Sequence, residues 1–160
     1  MKPEKAHYVV ATAIIVKDGK YLLLKRSTKE TAYPGMWTVP GGKLEWKDLD
    51  ISKPTRMNGD VFDFENAVED LLVREAKEEA GVDIEKDLKY VNSVAFVRPD
   101  EIPVVLVKFA AKYKGGEVVL EPEAFVDYTW VNEEEVKNYD CIEGIKEEIE
   151  ETINLFSNYG

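Results

Sequence analysis

Hydrophobic and polar positions divide the chain into short apolar runs, with one long amphipathic stretch near the middle. Between about Phe64 and Ala80 the apolar residues recur at helical spacing, and Gly81 follows at once. This spacing predicts a helix over about 64–80 that ends at a glycine in the C′ position. A second pattern of helical spacing, from Cys141 to Phe156, predicts a closing helix.

The remaining apolar runs are short and rich in β-branched residues, which is typical of strands. Between the first two runs, Asp18-Gly19 predicts a hairpin turn. Asn132 and the acidic residues after it predict a short helix. The succession of strands and helices predicts an α/β domain with a mixed sheet between helices. Strands are expected over residues 8–16, 21–24, 37–40, 88–98, 102–113, 118–120 and 125–131.

Carboxylates interrupt the apolar stripe of the predicted central helix. On a helical wheel of about 100° per residue with Val68 at zero, Glu75 falls at about −20° and Glu79 at about +20°. Glu78 lies beside them, and Arg74 is close enough to pair with Glu78. Clustered carboxylates turned toward the protein body repel each other and resist desolvation, and a divalent cation relieves both costs. We therefore expect a metal site here, with an ordinary solvated Glu-rich face as the alternative.

A second stretch, Pro40-Gly41-Gly42-Lys43, follows the apolar run at 37–39. The glycine pair predicts a turn or a close approach of the backbone to another group. Together with the helix, this stretch resembles the Nudix box, G-x5-E-x7-R-E-U-x-E-E-x-G-U, where U is aliphatic. The chain from about Tyr8 to Val131 is also similar to the Nudix hydrolase layout. The matching residues are Gly41, Gly42, Glu45, Arg74, Glu75, Ala76, Glu78, Glu79, Gly81 and Val82.

An insertion separates the two halves of this box. Gly42 and Arg74 are 32 positions apart where the family pattern has 14, so 18 residues are inserted, over about 46–63. Asn66 stands where the pattern has a glutamate eight positions before Arg74, and Glu65 is adjacent to it. The insertion carries many apolar residues for a loop. We expect it to cover the cleft or contact a second subunit, with a flap on its own domain as the alternative.

The resemblance implies an α/β/α sandwich and a hydrolase that cleaves a nucleoside diphosphate linked to another group. It implies Glu78 and Glu79 as the main metal ligands, with a backbone carbonyl from Gly41 or Gly42. Glu75 is implied as a further ligand or the general base, and Arg74 as the residue that orients the carboxylates.

Four further residues are candidates, the first three by the same resemblance. Glu123, or else Glu121, would supply a catalytic carboxylate from a late loop, with an exposed acidic loop as the alternative. Arg26 would face the substrate phosphates, and Trp37 would form a wall for the base, although a core position also suits Trp37.

The resemblance also implies a cofactor and a substrate class. Mg²⁺ is the expected metal, and Mn²⁺ fits the same oxygen ligands. The expected substrate is a nucleoside triphosphate or a modified one. ADP-ribose, a nucleotide sugar, and a nucleotide-sensing module without catalysis are alternatives. A homodimer is a further expectation, because dimers are common in the family.

Composition narrows the class of protein. A chain of 160 residues, 44% hydrophobic and 33% charged, predicts one globular domain over 1–160. The net charge of −11 argues against a nucleic acid polymer as partner. The single cysteine excludes an intramolecular disulfide and suits a reducing compartment. Neither a membrane-spanning run nor a secretory signal after Met1 is present, so a cytoplasmic location is expected.

Overall fold

The computed structural model describes residues 3–157. The expected single domain over 1–160 also includes Met1, Lys2 and residues 158–160, which lie outside the described residues. The N-terminal segment in which a secretory signal would begin lies partly outside them as well. Short 3-10 helices lie at Pro3–Lys5, Trp46–Asp48 and Glu135–Asn138. The two α-helices are α1 (Ala67–Ala80) and α2 (Ile145–Ser157). The strands are β1 (Tyr8–Lys17), β2 (Lys20–Arg26), β3 (Trp37–Thr38), β4 (Gly41–Lys43), β5 (Arg56–Asn58), β6 (Val61–Asp63), β7 (Asp83–Ile84), β8 (Lys89–Val97), β9 (Pro103–Gly115) and β10 (Phe125–Val131).

One mixed sheet with the strand order β10-β2-β1-β9-β7 forms the middle layer. Its central strand, β1, runs parallel to β9 and antiparallel to β2 and β4. The strand β3 pairs with β2, and β8 pairs with β9, while β5 and β6 form a separate hairpin. Helix α1 packs on one face and α2 on the other. This arrangement confirms the predicted α/β/α sandwich.

Side chains of β1 alternate between the two faces of the sheet and so contribute to the core under each helix. Ala11 and Ala13 point into the core under α1, and Ile14 points into the core under α2. On α1, Leu71 and Leu72 are about 1% exposed. Burial of each leucine contributes on the order of 1.5–3 kcal/mol. Packing of this apolar face therefore sets which side chains of α1 meet the sheet.

Backbone conformation makes both helices begin later than predicted, while α1 ends where the sequence predicts. Helix α1 begins at Ala67 instead of about Phe64, because Asn66 is left-handed (φ 58°) and no helix passes through it. It ends at Gly81, as predicted, with φ 74°. The closing helix begins at Ile145 instead of Cys141, because Gly144 has φ 98°.

Two other segments also differ from their predicted structure. The expected strand at 118–120 is irregular. There, the Val119 N–H donates to the Ala80 carbonyl at 2.9 Å, so the segment supplies a hydrogen-bond donor to a carbonyl at the C-terminal end of α1. The glycine pair lies inside β4 and forms a strand instead of the expected turn. Among the described residues, neither helix has the length and apolar character needed to cross a bilayer.

The insertion is folded, and its two parts differ. The first part is the 3-10 helix at Trp46–Asp48, directly after β4. The second is the β5–β6 hairpin, which turns at Gly59 with φ 62°. Large apolar side chains of the insertion are exposed, namely Trp46, Ile51, Met57, Val61 and Phe62. The insertion therefore has a fold of its own, and most of its apolar residues stay at the surface.

Candidate active site

Glu79 lies on α1 at the contact with β4. Its residue surface is 9% exposed, and the Gly41 N–H donates to its Oε1 at 3.0 Å. Gly41 is tightly confined, because a Cβ at this position would lie 2.5 Å from the Ala11 carbonyl oxygen. The pairing of β4 with β1 therefore holds one N–H donor against the Glu79 carboxyl group.

Glu75 occupies the space next to Gly42. A Cβ on residue 42 would lie 2.7 Å from Glu75 Cδ and 2.9 Å from its Oε1. The close approach predicted for the glycine pair is thus present. Its partner is the side chain of the central helix, one turn before Glu79.

The two carboxyl groups share a hydrogen bond and have perturbed pKa values. Burial raises the pKa of Glu79 to about 9, and the negative charge of Glu75 adds to the effect, while the Gly41 N–H opposes it. Burial also raises the pKa of Glu75, and the hydrogen bond from Glu79 lowers it. Glu79 therefore holds the proton of the pair in the protein alone, and donates it to Glu75.

Glu78 is more exposed than this pair. It is exposed, so the expectation that all three carboxylates face the protein body is wrong for Glu78. Its side chain instead lines a cleft of about 510 Å³. The helix position explains the difference, since residue 78 lies one residue off the buried stripe. The other residues that line this cleft are Gly42, Lys43, Glu45, Lys47, Asp48, Arg74 and Glu75.

The donors around this cleft suit a hard divalent cation in their chemistry. Glu75, Glu78 and Glu79 offer only oxygen atoms, which Mg²⁺ and Mn²⁺ prefer. Within residues 3–157, no three His, Cys, Asp or Glu side chains stand close enough to form a complete metal site. The buried pair is nevertheless a place where positive charge relieves both desolvation and repulsion. The donor atoms of these residues therefore suit a metal, and the roles of Glu75, Glu78 and Glu79 as its ligands stay predictions.

Arg74 contacts the insertion instead of Glu78. Its Nη2 lies 3.2 Å from Asp48 Oδ2 and 4.0 Å from Glu75 Oε1. The expected i,i+4 pair with Glu78 is absent from the ion pairs of the described residues. Sequence spacing did not identify Asp48, because this contact spans 26 residues and depends on the path of the insertion.

Two acidic residues of the late loop differ in their relation to the site. The Glu121 N–H donates to the Glu79 carbonyl at 3.0 Å, and its negative charge raises the pKa of both Glu75 and Glu79. Glu123 lies in an exposed turn with φ 69°. Glu121, the second choice from the sequence, is thus the late-loop carboxylate near the pair. A catalytic role of Glu123 stays a prediction.

Arg26 and Trp37 have partners away from the cleft. Arg26 Nε donates to the Ala32 carbonyl at 2.8 Å, and its Nη2 lies 3.4 Å from Glu30, so it anchors the loop after β2. Trp37 packs edge-to-face on Tyr139, with ring centroids 5.0 Å apart, beside the core under α2. Their substrate-binding roles stay predictions.

A second cleft adjoins the first and carries aromatic side chains. It has a volume of about 450 Å³ and shares Lys43 and Glu45 with the carboxylate cleft. Tyr8 and Trp46 line it, and they are 45% and 66% exposed. Neither residue stands out in the sequence as a binding residue, because Tyr8 fits a strand and Trp46 fits a loop.

Comparison with known proteins places these features in a family. The family model described as NUDIX domain matches residues 6–152. The nucleoside triphosphatase NudI of Escherichia coli is 26% identical over 141 residues, which cover 82% of this chain and 86% of that protein. The NAD-capped RNA hydrolase NudC of Pseudomonas putida is 38% identical over 64 residues, 40% of this chain and only 22% of NudC.

Solved structures show the same fold. A MutT Nudix hydrolase from Burkholderia pseudomallei superposes with a TM-score of 0.68 at 23% identity, covering 92% of this chain and 98% of that one. The Nudix domain of Shewanella oneidensis NrtR, solved with ADP ribose, gives a TM-score of 0.69 at 18% identity, covering 98% and 94%. With the family model spanning most of its length, the chain belongs to the Nudix family and is a hydrolase that acts on phosphoanhydride bonds.

Proposed function

We propose that the chain is a divalent-metal-dependent pyrophosphohydrolase whose substrate is a nucleoside triphosphate or a modified one, with Mg²⁺ as the metal and Mn²⁺ as a substitute. The observation that carries the proposal is the pair formed by buried Glu79 and half-buried Glu75 against the Gly41-Gly42 backbone, at the wall of an open cleft. Carboxyl groups are costly to bury and remain in a fold where a charge partner repays the cost.

In this proposal Glu75, Glu78 and Glu79 hold the metal, with a carbonyl of Gly41 or Gly42. The bound ion would neutralise the phosphate oxygens and favour attack by water. Glu75 also serves as the general base, because it is half-buried and borders the open cleft where water has access. Lys43 and Lys47 at the rim provide positive charge for the phosphates in a chain of net charge −11.

The adjoining cleft supports a nucleotide over a simple pyrophosphate. Tyr8 and Trp46 expose aromatic faces there, and stacking of a base on an aromatic ring contributes about 1–3 kcal/mol. Since Lys43 borders both clefts, one molecule can place its phosphates in one and its base in the other. The nucleoside triphosphatase activity in the name of NudI is consistent with this choice.

ADP-ribose or a nucleotide sugar is the second candidate substrate, since a structural neighbour was solved with ADP ribose. A sensing module without catalysis is the third function, motivated by the insertion and by Asn66. The cytoplasm is the proposed location, in line with the single cysteine. A homodimer is also proposed, with the exposed apolar side chains of the β5–β6 hairpin as the surface where a second subunit would pack.

A phosphate-release assay separates these functions. We would incubate the chain with Mg²⁺ or Mn²⁺ and a panel of nucleoside triphosphates, modified nucleotides, ADP-ribose and nucleotide sugars. We expect turnover of a triphosphate, and a loss of at least about a hundredfold for Glu79→Gln. Binding of nucleotides without turnover of any of them would favour the sensing module. Turnover of ADP-ribose alone would favour the second candidate.

A further inference from the structure

We propose that Asp48 of the insertion is a positioning residue of the active site, which holds the Arg74 guanidinium beside Glu75. It replaces the carboxylate that the Nudix pattern places eight positions before Arg74. The inference deepens the proposed function and rests on it.

The geometry of Arg74 carries the inference. One nitrogen, Nη2, lies 3.2 Å from Asp48 Oδ2 and 4.0 Å from Glu75 Oε1. The three side chains are 35%, 24% and 20% exposed, so solvent screens this network less than a pair in open water. Asp48 therefore fixes the guanidinium on the side where it contacts Glu75.

No other described carboxylate near the start of α1 takes this role. Glu65 pairs with Arg56 of the β5–β6 hairpin. Asn66 is neutral, and its left-handed backbone lies outside the helix. Glu78 is exposed, and the ion pairs of Arg74 within residues 3–157 are with Asp48 and Glu75 instead. Asn66 stands where the pattern has its glutamate, and the insertion supplies Asp48 as the carboxylate in contact with Arg74.

The local fold of the insertion places Asp48 with little freedom. Asp48 is the last residue of the 3-10 helix, which begins one residue after Glu45. Its N–H donates to the Glu45 carbonyl at 3.0 Å, and the next N–H, of Leu49, donates to the Trp46 carbonyl at 3.1 Å. Because β4 holds the preceding residues against β1, the carboxylate is presented to α1 from a fixed backbone.

Loss of this carboxylate should lower kcat while leaving KM nearly unchanged. Without Asp48, the flexible arginine chain turns to solvent, and Glu75 loses the positive charge that orients it. Outer partners of metal-ligating residues typically contribute 10–100-fold to activity or metal affinity. We therefore expect Asp48→Asn to lower kcat by about 10–100-fold, with KM changed less than about threefold.

The experiment measures kcat and KM for Asp48→Asn, Asp48→Glu and the control Asp60→Asn, each with its melting temperature. Asp60 is an exposed aspartate of the same insertion, in the hairpin turn and away from the cleft. We expect recovery of most of kcat in Asp48→Glu and wild-type kcat in Asp60→Asn. Equal losses in Asp48→Asn and Asp60→Asn, or a loss confined to KM, would overturn the inference.

A double-mutant cycle with Arg74→Gln, which removes the positive charge, tests whether Asp48 acts through the arginine. If it does, Asp48→Asn causes almost no further loss of kcat in the Arg74→Gln background. Losses that multiply would refute the positioning role.

A wild-type chain that hydrolyses no nucleotide would refute the proposed function but still leave the ion pair testable. The same cycle is then read in melting temperatures, in which a non-additive double variant supports the pairing and an additive one overturns it.

Discussion

The substitution Glu79→Gln should stabilise the protein in the absence of metal at neutral pH. The pKa of Glu79 is about 9 in the folded chain and near 4.5 in an exposed glutamate. Between these values the folded state binds a proton that the unfolded state releases, so stability is largest below about pH 4.5 and falls as pH rises toward about 9. At pH 7, about 2.5 pH units above 4.5, the cost is about 3 kcal/mol at 1.36 kcal/mol per unit.

Glutamine avoids this cost and keeps both hydrogen bonds. Its carbonyl oxygen accepts from the Gly41 N–H, and its amide donates to Glu75 as the protonated acid does. For a domain of this size, about 3 kcal/mol corresponds to a rise in melting temperature of roughly 6–12 °C. At pH 5 the gain should shrink below about 1 kcal/mol.

The assay is thermal denaturation in EDTA at pH 5 and pH 7, with Glu78→Gln as the control on an exposed neighbour. The reasoning is refuted if Glu79→Gln lowers the melting temperature at pH 7. It is also refuted if the gain is the same at both pH values.

Three further perturbations test the site. Saturating Mg²⁺ should raise the melting temperature by several degrees, because a hundredfold excess over Kd stabilises the folded state by about 2.7 kcal/mol. This rise should be absent when all three helix glutamates are replaced by glutamine. Gly42→Ala should lower kcat at least about tenfold, since its Cβ would lie 2.7 Å from Glu75 Cδ, whereas Gly115→Ala, with open space around it, should not. Trp46→Ala should raise KM for a nucleotide by roughly 5–100-fold without changing KM for inorganic tripolyphosphate, and Phe62→Ala should change neither.

The sequence was sufficient where local rules decide the outcome. The amphipathic stripe of α1 predicted that Glu79 turns toward the sheet, because a helix with buried Leu71, Leu72 and Ala76 leaves residue 79 no other side. The left-handed cap at Gly81 followed from glycine's freedom at positive φ. The α/β/α layers likewise followed from the order of strands and helices.

Contacts between distant segments could not be predicted in the same way. Asp48 meets Arg74 only because the insertion folds back over α1 after β4, and no periodicity encodes that path. The proximity of Glu121 to Glu79 depends on one backbone hydrogen bond between distant segments. The predicted start of α1 is too early for a local reason, because apolar spacing does not reveal the left-handed backbone of Asn66.

The position of β1 in the sheet determines when during synthesis the site can form. The strand that carries Gly41 and Gly42 is held by β1, which also pairs with β2 and, in parallel, with β9, and β9 begins at Pro103. A nascent chain that ends at Ala80 would contain every helix glutamate of the site, yet its central strand would lack the parallel partner. Pairing of two strands across so many intervening residues has a large entropic cost of loop closure, and such contacts form slowly. Enzymatic activity would therefore appear only after the chain has emerged from the ribosome well beyond β9.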